Sequence, residues 1–418
     1  MNVEVKPGYK LTEAGMIPED WSSPCLGLLV HSVEYGSSAK SSLAGKTPVL
    51  RMGNLQDGKI DWNDLVYTDD DQEISKYLLN SGDVLFNRTN TPELVGKTSI
   101  YRGEMPAIFA GYLIRIKERK DLLNSAYLNY VLNSESSKKY SQKVLSVAVG
   151  QANINGQKLK TYPIPLPPLL VEQEAISLAL MDADALISGL DQLIAKKRDI
   201  KQAAMQKLLT GQHRLPGFSG EWVVKPIGES IDLLSGFPFP SDSYSNSGVR
   251  LLRGSNVKRG QTDWSDEITQ FWPSINQEIA KYEVNVGDLV ISMDGSLVGR
   301  SYARIVEADL PALLLQRVAR IRSRTIDIGF LAQFIGSQFF TTHCDSVKTV
   351  TAIPHISADD IRSFSIPTPP TIEEQTAIAT ILSDMDNELT GLESRRDKAR
   401  QIKQGMVQEL LTGKTRIS

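Results

Sequence analysis

The sequence predicts an α+β protein built as a tandem pseudo-twofold repeat. Two homologous α/β modules are expected to be joined by two long antiparallel helices that form a coiled coil. Three observations lead to this prediction. The stretch "QKLLTG" at 206–211 returns as "QELLTG" at 408–413. Apolar residues recur at alternating steps of three and four ahead of each copy. Mixed strand and helix patterns fill the rest of each half.

The length and composition indicate a globular protein of more than one domain. The chain has 418 residues, of which 41% are hydrophobic and 23% charged, as in ordinary soluble proteins. No apolar run approaches the ~20 residues of a membrane helix, and no signal sequence is apparent. With only Cys25 and Cys344, no disulfide framework is expected, so the predicted location is the cytoplasm, with no membrane contact.

The net charge of −3 bears on possible partners. A simple nucleic-acid binder usually carries a basic excess, which this chain lacks. Any binding to DNA would therefore depend on local patches or on help from a partner protein.

The repeat extends over the whole chain. At the offset set by "QKLLTG", "IPLPPLLVEQEAI" (164–176) aligns with "IPTPPTIEEQTAI" (366–378). Further upstream, "LRMGNLQDGKIDW" (50–62) matches "LRGSNVKRGQTDW" (252–264) more loosely. Each half therefore contains a variable module followed by a nearly constant one. The predicted boundaries are 1–163 and 213–365 for the variable modules, and 164–212 and 366–418 for the constant ones.

Each constant module is predicted to form one long helix. A proline pair ends the preceding segment, and acidic residues suit the helix N-terminus. Gly211 and Gly413 stand where a glycine closes a helix. An ordinary core helix is the alternative interpretation, but two matched copies of this length favour pairing of the two helices. The tail after Gly413 is then expected near the start of the chain. The predicted coiled-coil seam comprises Ile176, Leu180, Ile187, Leu190, Ile194, Ile378, Leu382, Met385, Leu389 and Leu392.

The variable modules combine short strands with helical stretches. "DVLFNRT" and "YLIRIKER" are typical of strands, and "SAYLNYVLNSESSKKYSQKVL" and "GFLAQFIGSQFF" of single helices. One strand in each module carries basic residues at alternate positions. They form either a ribbon that contacts DNA phosphates or a solvated outer face of a sheet.

Polar loops after the strands differ between the two modules and are the other candidate contacts. "FNRTN" in the first module corresponds to "ISMDG" in the second, and "VGQANIN" (149–155) corresponds to "VTAIPHI" (350–356). Arg, Asn, Gln and Asp side chains are those that read base edges in the major groove. The residues predicted to contact DNA are Arg51, Arg88, Thr89, Asn90, Lys97, Arg115, Lys117, Gln151, Asn153, Arg253, Asn256, Asp294, Ser296, Arg300, Arg320, Arg322 and His355.

The sequence contains no recognisable catalytic motif. Three "GKT" triplets lack the upstream glycine of a phosphate-binding loop, and the four histidines are scattered without metal-ligand spacing. No nucleophile elbow or dinucleotide-binding glycine motif occurs. We therefore expect no catalytic residue and no metal site, which favours a recognition protein over an enzyme.

Taken together, these motifs resemble the specificity subunit of type I restriction–modification systems. The resemblance rests on "GMIPEDW", "SGDVLF" followed by "LVGK", "IPLPPLLVEQEAI" and the "LLTG" ending, and it covers essentially the full chain. It implies that the variable modules are target recognition domains, each reading one half of a split DNA site. The conserved helices would form an antiparallel coiled coil that sets the distance between the half-sites.

The resemblance also implies the partners and cofactors. Two modification subunits, which bind S-adenosylmethionine and methylate adenine, would dock on this framework, and two restriction subunits would add the ATP-dependent nuclease. S-adenosylmethionine, ATP and Mg would belong to those partners, and this chain would have no cofactor. Two other hypotheses remain: a duplicated protein-interaction scaffold without a DNA role, and an enzyme acting on a small molecule.

Overall fold

The computed structural model describes residues 5–148 and 150–417. The chain divides into two compact units. The first unit combines the residues up to Asp191 with the segment from Ser394 onward, and the second comprises Gln192–Glu393. The first unit is therefore built from two separate stretches of the sequence, whereas the second is contiguous.

The first unit contains the strands and short helices of the first variable module, and the beginning of a long helix. In chain order they are β1 (Tyr9–Thr12), β2 (Gly15–Pro18), β3 (Val30–Tyr35), β4 (Thr47–Leu50), β5 (Leu55–Gln56), β6 (Gly58–Ile60), β7 (Val66–Thr68), α1 (Asp71–Tyr77), β8 (Val84–Asn87), β9 (Thr89–Asn90), β10 (Thr98–Ile100), β11 (Ile108–Phe109), β12 (Leu113–Glu118), α2 (Ser125–Asn133), α3 (Glu135–Val144), β13 (Ser146–Ala148), β14 (Gln151–Asn153), α4 (Gly156–Lys160) and α5 (Leu170–Leu209).

The second unit repeats this order with small differences. Its elements are β15 (Val223–Pro226), β16 (Ile231–Ser235), β17 (Val249–Leu252), β18 (Arg259–Gly260), β19 (Phe271–Trp272), β20 (Leu289–Ser292), β21 (Tyr302–Arg304), β22 (Ala312–Leu314), β23 (Val318–Ser323), α6 (Ile328–Ile335), α7 (Gln338–Val347), α8 (Ala358–Arg362), β24 (Ser365–Thr368) and α9 (Ile372–Leu410).

Each unit is centred on one mixed sheet. In the first unit the strand order is β3-β12-β8-β10-β6-β5, and in the second it is β16-β23-β20-β21-β18. In both sheets the first three strands of this order pair antiparallel: β12 lies between β3 and β8 in the first sheet, and β23 lies between β16 and β20 in the second. A parallel pair lies towards one edge of each sheet, β10 with β6 and β21 with β18. The mixed α+β architecture predicted for the variable modules is confirmed.

Two helices predicted as single elements are each divided in two. Ser134 ends α2, and its hydroxyl accepts a hydrogen bond from the backbone N–H of Ser137 at the start of α3. Ser337 separates α6 from α7 in the same way by capping Phe339. A serine side chain at this position satisfies an N–H that the next helix cannot bond internally, so the chain turns and starts a new helix.

The long helices begin and end close to the predicted residues. α5 has 40 residues and α9 has 39, so each is about 60 Å long at ~1.5 Å per residue. Gly211 and Gly413 have φ angles of 71° and 66°, the left-handed conformation that closes a helix and that glycine adopts without strain. The prediction that these glycines end the helices is confirmed.

Within each unit, part of α5 runs antiparallel to part of α9. In the first unit, Lys403 Nζ lies 2.6 Å from Asp184 Oδ1, and Arg400 Nη2 lies 3.0 Å from Asp191 Oδ2. In the second unit, the equivalent residues form the same two ion pairs, Lys201 with Asp386 and Arg198 with Glu393. As the numbering rises along one helix it falls along the other, which defines the antiparallel direction in each unit separately.

The predicted seam residues lie on the inner sides of these helices. Ile176 and Leu180 join the first unit's core together with Leu410, and Ile378 and Leu382 join the second unit's core together with Leu209. The remaining seam residues are buried or half-buried: Ile187, Leu190, Ile194, Met385, Leu389 and Leu392. The core of each unit therefore combines the start of one long helix with the end of the other.

The start and end of the described chain meet in the first unit. Arg416 forms an ion pair with Asp20 at 3.0 Å and also bonds the buried carboxylate of Glu172. In the second unit, Arg214 bonds Glu374 at 2.8 Å in the same way. The expected return of the tail to the start of the chain is confirmed. Among the described residues, no helix combines the length and apolar character needed to cross a membrane.

Candidate nucleic-acid interface

The first corner is the place where β8 ends, β12 begins and β14 passes beside them. We define it by Arg88, Thr89, Asn90, Tyr112 and Asn153. The N–H of Arg88 donates to the carbonyl of Tyr112 at 3.1 Å, and the N–H of Ile154 donates to the carbonyl of Arg88 at 2.9 Å. β9 pairs with β14, which places Thr89 opposite Asn153. The two loops that the sequence identified separately therefore meet in one small sheet.

The side chains of the first corner are polar and partly exposed. Asn153 Nδ2 donates to Thr89 Oγ1 at 2.8 Å, so the amide of Asn153 is held in a fixed orientation. The Arg88 guanidinium lies 4.8 Å from the centre of the Tyr35 ring and donates to the carbonyl of Gly111. Gln151 is exposed at the start of β14. Val149, which begins the predicted loop, is outside the described residues.

The second corner has the same backbone framework in the second unit. We define it by Met293, Asp294, Arg317 and His355. The N–H of Met293 donates to the carbonyl of Arg317 at 2.8 Å, and the N–H of Ile356 donates to the carbonyl of Met293 at 2.9 Å. Asp294 and His355 form an antiparallel bridge, the counterpart of the pairing of Thr89 with Asn153. The two corners therefore share their backbone hydrogen bonds while differing in every defining side chain.

The His355 ring is fixed between two partners. Its Nδ1 lies 2.9 Å from the carbonyl oxygen of Met293, and since a carbonyl only accepts, this contact requires a proton on Nδ1. A neutral ring then has its lone pair on Nε2, which lies 3.3 Å from Nη1 of Arg317. The same Nη1 lies 3.2 Å from Nδ1. His355 thus connects the backbone of the corner to the exposed Arg317 side chain.

Sequence reasoning missed Arg317 and Tyr112. Each stands immediately before the strand that carries the basic alternation, and each is exposed. Arg317 belongs to its corner through the backbone hydrogen bond from Met293, and Tyr112 through that from Arg88. The sequence does not show these bonds. The arginine of each corner also comes from a different place: from the end of β8 in the first corner and from the start of β23 in the second. A residue-by-residue alignment of the two halves does not reveal this exchange.

The exposed basic ribbon predicted on β12 and β23 is wrong for its central residues. Arg115 is only 4% exposed and lies 2.6 Å from Glu34 and 3.4 Å from Asp83. Arg320 is 5% exposed, and its Nη1 donates to the carbonyls of Lys281 and Glu283. Both guanidinium groups are enclosed by the sheet, so they cannot meet a phosphate without leaving their partners.

The next residues of the same strands are also paired. Lys117 Nζ lies 3.2 Å from Glu34, and Arg322 Nε lies 2.7 Å from the buried Asp288. The hydrogen bonds that Arg322 donates to Asp288 raise the pKa of the Arg322 guanidinium, whereas burial and the nearby Arg322 charge lower that of Arg320. The basic residues that alternate along β12 and β23 therefore pair with carboxylates on or next to the neighbouring strands, because a charge in a sheet interior needs a counter-charge.

The candidates in the shared "LR..N" motif have a structural role. Asn256 is fully buried, and its Nδ2 donates to the carbonyl of Asp263. Arg253 donates to the carbonyl of Ile268, and Arg51 to that of Asp64. These bonds fold the loop after β4 or β17, which accounts for the recurrence of the motif in both halves.

Three further candidates lie on the surface. Lys97 donates to the side chain of Gln56 at 3.2 Å, and Arg300 pairs with Asp345 at 3.3 Å. Ser296 is exposed in the loop that begins at Asp294. Ser296 and Arg300 lie in the same connection between β20 and β21 as Asp294, and Lys97 ends the connection between β9 and β10. The side-chain bonds of Lys97 and Arg300 to Gln56 and Asp345 do not join them to either corner.

The described residues contain no cluster of three or more His, Cys, Asp or Glu side chains arranged to hold a metal ion. Cys25 and Cys344 are free thiols, and burial raises the pKa of Cys344 to about 12. A thiol with a pKa this high is protonated at neutral pH and is a poor nucleophile. What the two corners offer chemically is therefore hydrogen bonding to a ligand.

Two units with the same framework and different loop chemistry define a duplicated recognition protein. The model of the family described as "Type I restriction modification DNA specificity domain" matches residues 18–196 and 220–403. This chain belongs to that family and carries two copies of its domain, one in each half of the sequence. It is a specificity subunit of the type I restriction–modification class.

Similar proteins align with this chain over nearly their whole length. The MjaVIII type I restriction enzyme specificity subunit of Methanocaldococcus jannaschii is 27% identical over 423 residues, which cover 96% of this chain and 94% of that protein. A protein from the same organism, described as a specificity subunit of the MjaX type I restriction enzyme, is 28% identical over 98% of this chain and 97% of its own. The crystal structure of a type I system S subunit from M. genitalium shares the fold, with a TM-score of 0.64 at 13% identity over 98% of both chains.

Proposed function

We propose that the first and second corners each read one half of an asymmetric, bipartite target in double-stranded DNA. One observation carries the proposal: the corners share their backbone hydrogen bonds but differ in their side chains. A common framework holds the reading groups in equivalent positions, and the different groups select different bases. Half-sites of different sequence follow directly.

The side chains at the corners suit base edges in the major groove. Asn and Gln can bond both N6 and N7 of adenine, Arg bonds O6 and N7 of guanine, and a carboxylate accepts from N4 of cytosine. The first corner offers Asn90 and Asn153, with Gln151 exposed beside it on β14, and the second corner offers Asp294 and Arg317. Each good bidentate contact discriminates against a wrong base by about 1–3 kcal/mol.

The long helices fit the role of a spacer. A helix of 40 residues resists bending, and the matched ion pairs fix its register against its neighbour in each unit. In the proposed complex this coiled coil sets the number of base pairs between the half-sites. The exposed apolar side chains of Leu178 and Leu186, which lie outside the seam on α5, suit contact with a partner protein.

The chain is proposed to contribute recognition without catalysis. Two modification subunits would supply S-adenosylmethionine and methylate adenine, and two restriction subunits would supply ATP- and Mg-dependent translocation and cleavage. The partners would then provide many of the phosphate contacts. This division accommodates the net charge of −3, which is unusual for a protein that binds DNA alone.

Methylome sequencing tests the proposal. The chain is expressed with a type I modification subunit in cells that lack other adenine methylation, and the modified motifs are determined. We expect one bipartite motif with unequal halves separated by a fixed gap. Failure to find any such motif when the two proteins form a stable complex would contradict the proposal.

A domain exchange separates recognition from a scaffold role. Residues 20–160 are replaced by the equivalent segment of a relative with a different target. A recognition subunit should change one half of its motif and keep the other half and the gap. A protein-interaction scaffold should instead change its binding partners, with no effect on a DNA motif.

A further inference from the structure

The backbone at Arg317 is unusual for its residue type. Its φ of 71° lies in the left-handed region, where a side chain other than glycine, asparagine or aspartate is disfavoured by about 1–2 kcal/mol. The other described residues with such a φ, apart from glycines, are Asp57 and Asp64, which tolerate it. Arginine at this position therefore costs stability that glycine would avoid. A strained residue of this kind points to a role for its side chain.

The Arg317 side chain is anchored at one end and open at the other. Nη1 lies 3.3 Å from Nε2 of His355, the ring nitrogen that can accept when Nδ1 donates to the carbonyl of Met293. Within the described residues, no hydrogen bond or ion pair involves Nε or Nη2 of Arg317. An exposed guanidinium held in this way has lost part of its rotamer freedom and still offers a fork of free N–H donors.

Asp294 gives the second corner a mixed charge. Its backbone pairs with that of His355, and its carboxylate forms no ion pair with any described residue. An unneutralised carboxylate repels a phosphate group, whereas it can accept a hydrogen bond from a base amine. The neighbouring arginine is therefore better suited to a base edge than to the sugar–phosphate backbone.

We propose that Arg317 reads a guanine in the half-site bound by the second unit. The inference rests on the proposed function and names the determining residue and its base. Arginine donates two parallel hydrogen bonds to O6 and N7 of guanine, a geometry that no other base offers in the major groove. His355 acts as a positioning residue, since it holds one amino group of Arg317 and leaves the other donors free.

The test compares Arg317→Gly with the wild-type chain in the reconstituted complex with its modification subunit. Glycine removes the guanidinium and relieves the backbone, so the variant should fold at least as well. We expect one G·C pair in one half of the methylated motif to become degenerate, while the other half and the gap stay unchanged. Competition with oligonucleotides should show a loss of roughly 5- to 150-fold in discrimination at that pair.

Two further variants separate a base contact from a general loss of binding. Arg304→Ala removes an exposed arginine at the opposite end of the same sheet and should leave the motif intact. Arg317→Asn, which also tolerates the left-handed backbone, should likewise lose the requirement for that G·C pair, by becoming degenerate or by accepting A·T. Full retention of every G·C pair in both variants would overturn the inference alone. Uniform weakening on all sequences with a smaller salt dependence would assign Arg317 to a phosphate and would also overturn it. A wild-type complex without any bipartite motif would overturn the proposed function, and the inference with it.

Discussion

At the scale of single residues, Arg115 shows how a charged side chain becomes part of a core. Its Nη1 donates to the carbonyl of Leu78 at 2.7 Å and faces Asp83, while its Nη2 lies 2.6 Å from Glu34. Asp83 is itself buried and accepts the N–H of Asn80. The group is satisfied as a network, and removal of the central cation leaves buried carboxylate charge without a partner.

Replacement of Arg115 by alanine should therefore lower the free energy of unfolding by about 3 kcal/mol or more. Lys117→Ala on the same strand removes a partner of Glu34 that is 40% exposed, and should cost less than about 1 kcal/mol. Urea denaturation of the purified chain measures both values. An Arg115→Ala protein of normal stability with weaker DNA binding would restore the phosphate-contact interpretation.

Glu34 makes this network sensitive to acid. Burial alone would raise its pKa, but hydrogen bonds from Arg115, Ser32 and Lys117 lower the pKa from 4.5 to about 2. A carboxyl group whose pKa is depressed on folding contributes stability above its unfolded pKa, and this contribution disappears as the pH falls towards the folded value.

The stability difference between the wild-type chain and Glu34→Gln should therefore be largest near neutral pH and shrink between pH 4.5 and 2. Urea midpoints recorded for both proteins across this range measure the change. Glu19→Gln, at an exposed carboxyl group without an ion pair in the described structure, is the control for the substitution itself. A constant difference for Glu34→Gln would exclude the proposed network effect.

Sequence could identify the candidate loops but not the residues that they meet. Thr89 with Asn153, and Asp294 with His355, were selected because the two halves differ there, and the structure brings each pair together. The predicted exposure of Arg115 and Arg320 was wrong because charge at alternate strand positions gives the same sequence pattern whether the strand face is solvated or lined with carboxylates. The distinction depends on residues such as Glu34 and Asp83, which are distant in sequence.

At the scale of elements, the paired helix segments are held by ion pairs of unequal burial. Lys403 and Asp184 are 24% and 17% exposed, and Asp184 also accepts a hydrogen bond from Tyr130 at 2.7 Å. Arg400 and Asp191 are 51% and 42% exposed. Since solvent screens the outer pair, the inner pair should determine the register of the two helices more strongly.

A double-mutant cycle checks this ranking. Asp184→Ala and Lys403→Ala should show a coupling free energy of about 1–3 kcal/mol. The matched cycle on Asp191 and Arg400 should give less than about 1 kcal/mol. Thermal or urea unfolding of the single and double variants gives both numbers. Equal coupling in the two cycles would contradict a register set by the inner pair.

The long helices were well predicted because periodicity, a proline pair and a terminal glycine all agreed. α5 begins at Leu170, two residues after the proline pair that was predicted to end the preceding segment. The short helices were less predictable, since Ser134 both ends α2 and caps α3, whereas Ser337 caps α7 directly after Gly336 ends α6. A capping serine resembles an ordinary polar helix residue until its side-chain bond is seen.

At the scale of the whole molecule, duplication makes the spacer testable. Four residues inserted in α5 after Ile194, together with four in α9 after Glu393, preserve the antiparallel pairing and lengthen each helix by about 6 Å. This length corresponds to at most about two base pairs at ~3.4 Å each. The insertion also rotates each helix by a net ~40°. This rotation has the same handedness as the rotation of DNA over one or two base pairs.

The gap in the methylated motif should therefore grow by about one to two base pairs, while both half-sites keep their sequences. Methylome sequencing of the insertion variant reads this gap directly. Four alanine substitutions at neighbouring exposed positions of α5, without a change in length, serve as the control and should leave the gap unchanged. An unaltered gap in the insertion variant would contradict the role of the helices as a spacer.

The junction of Arg416 with Asp20 and Glu172 has a consequence for how the protein is made. The second unit is contiguous in sequence, so the ribosome synthesises all of its residues one after another. The first unit lacks Leu410, Leu411 and Ile417 of its core until the last part of the chain emerges. At about 5–20 residues per second, more than ten seconds separate Asp191 from those residues. The module synthesised first is therefore expected to be completed last, and the order of folding runs opposite to the order of translation.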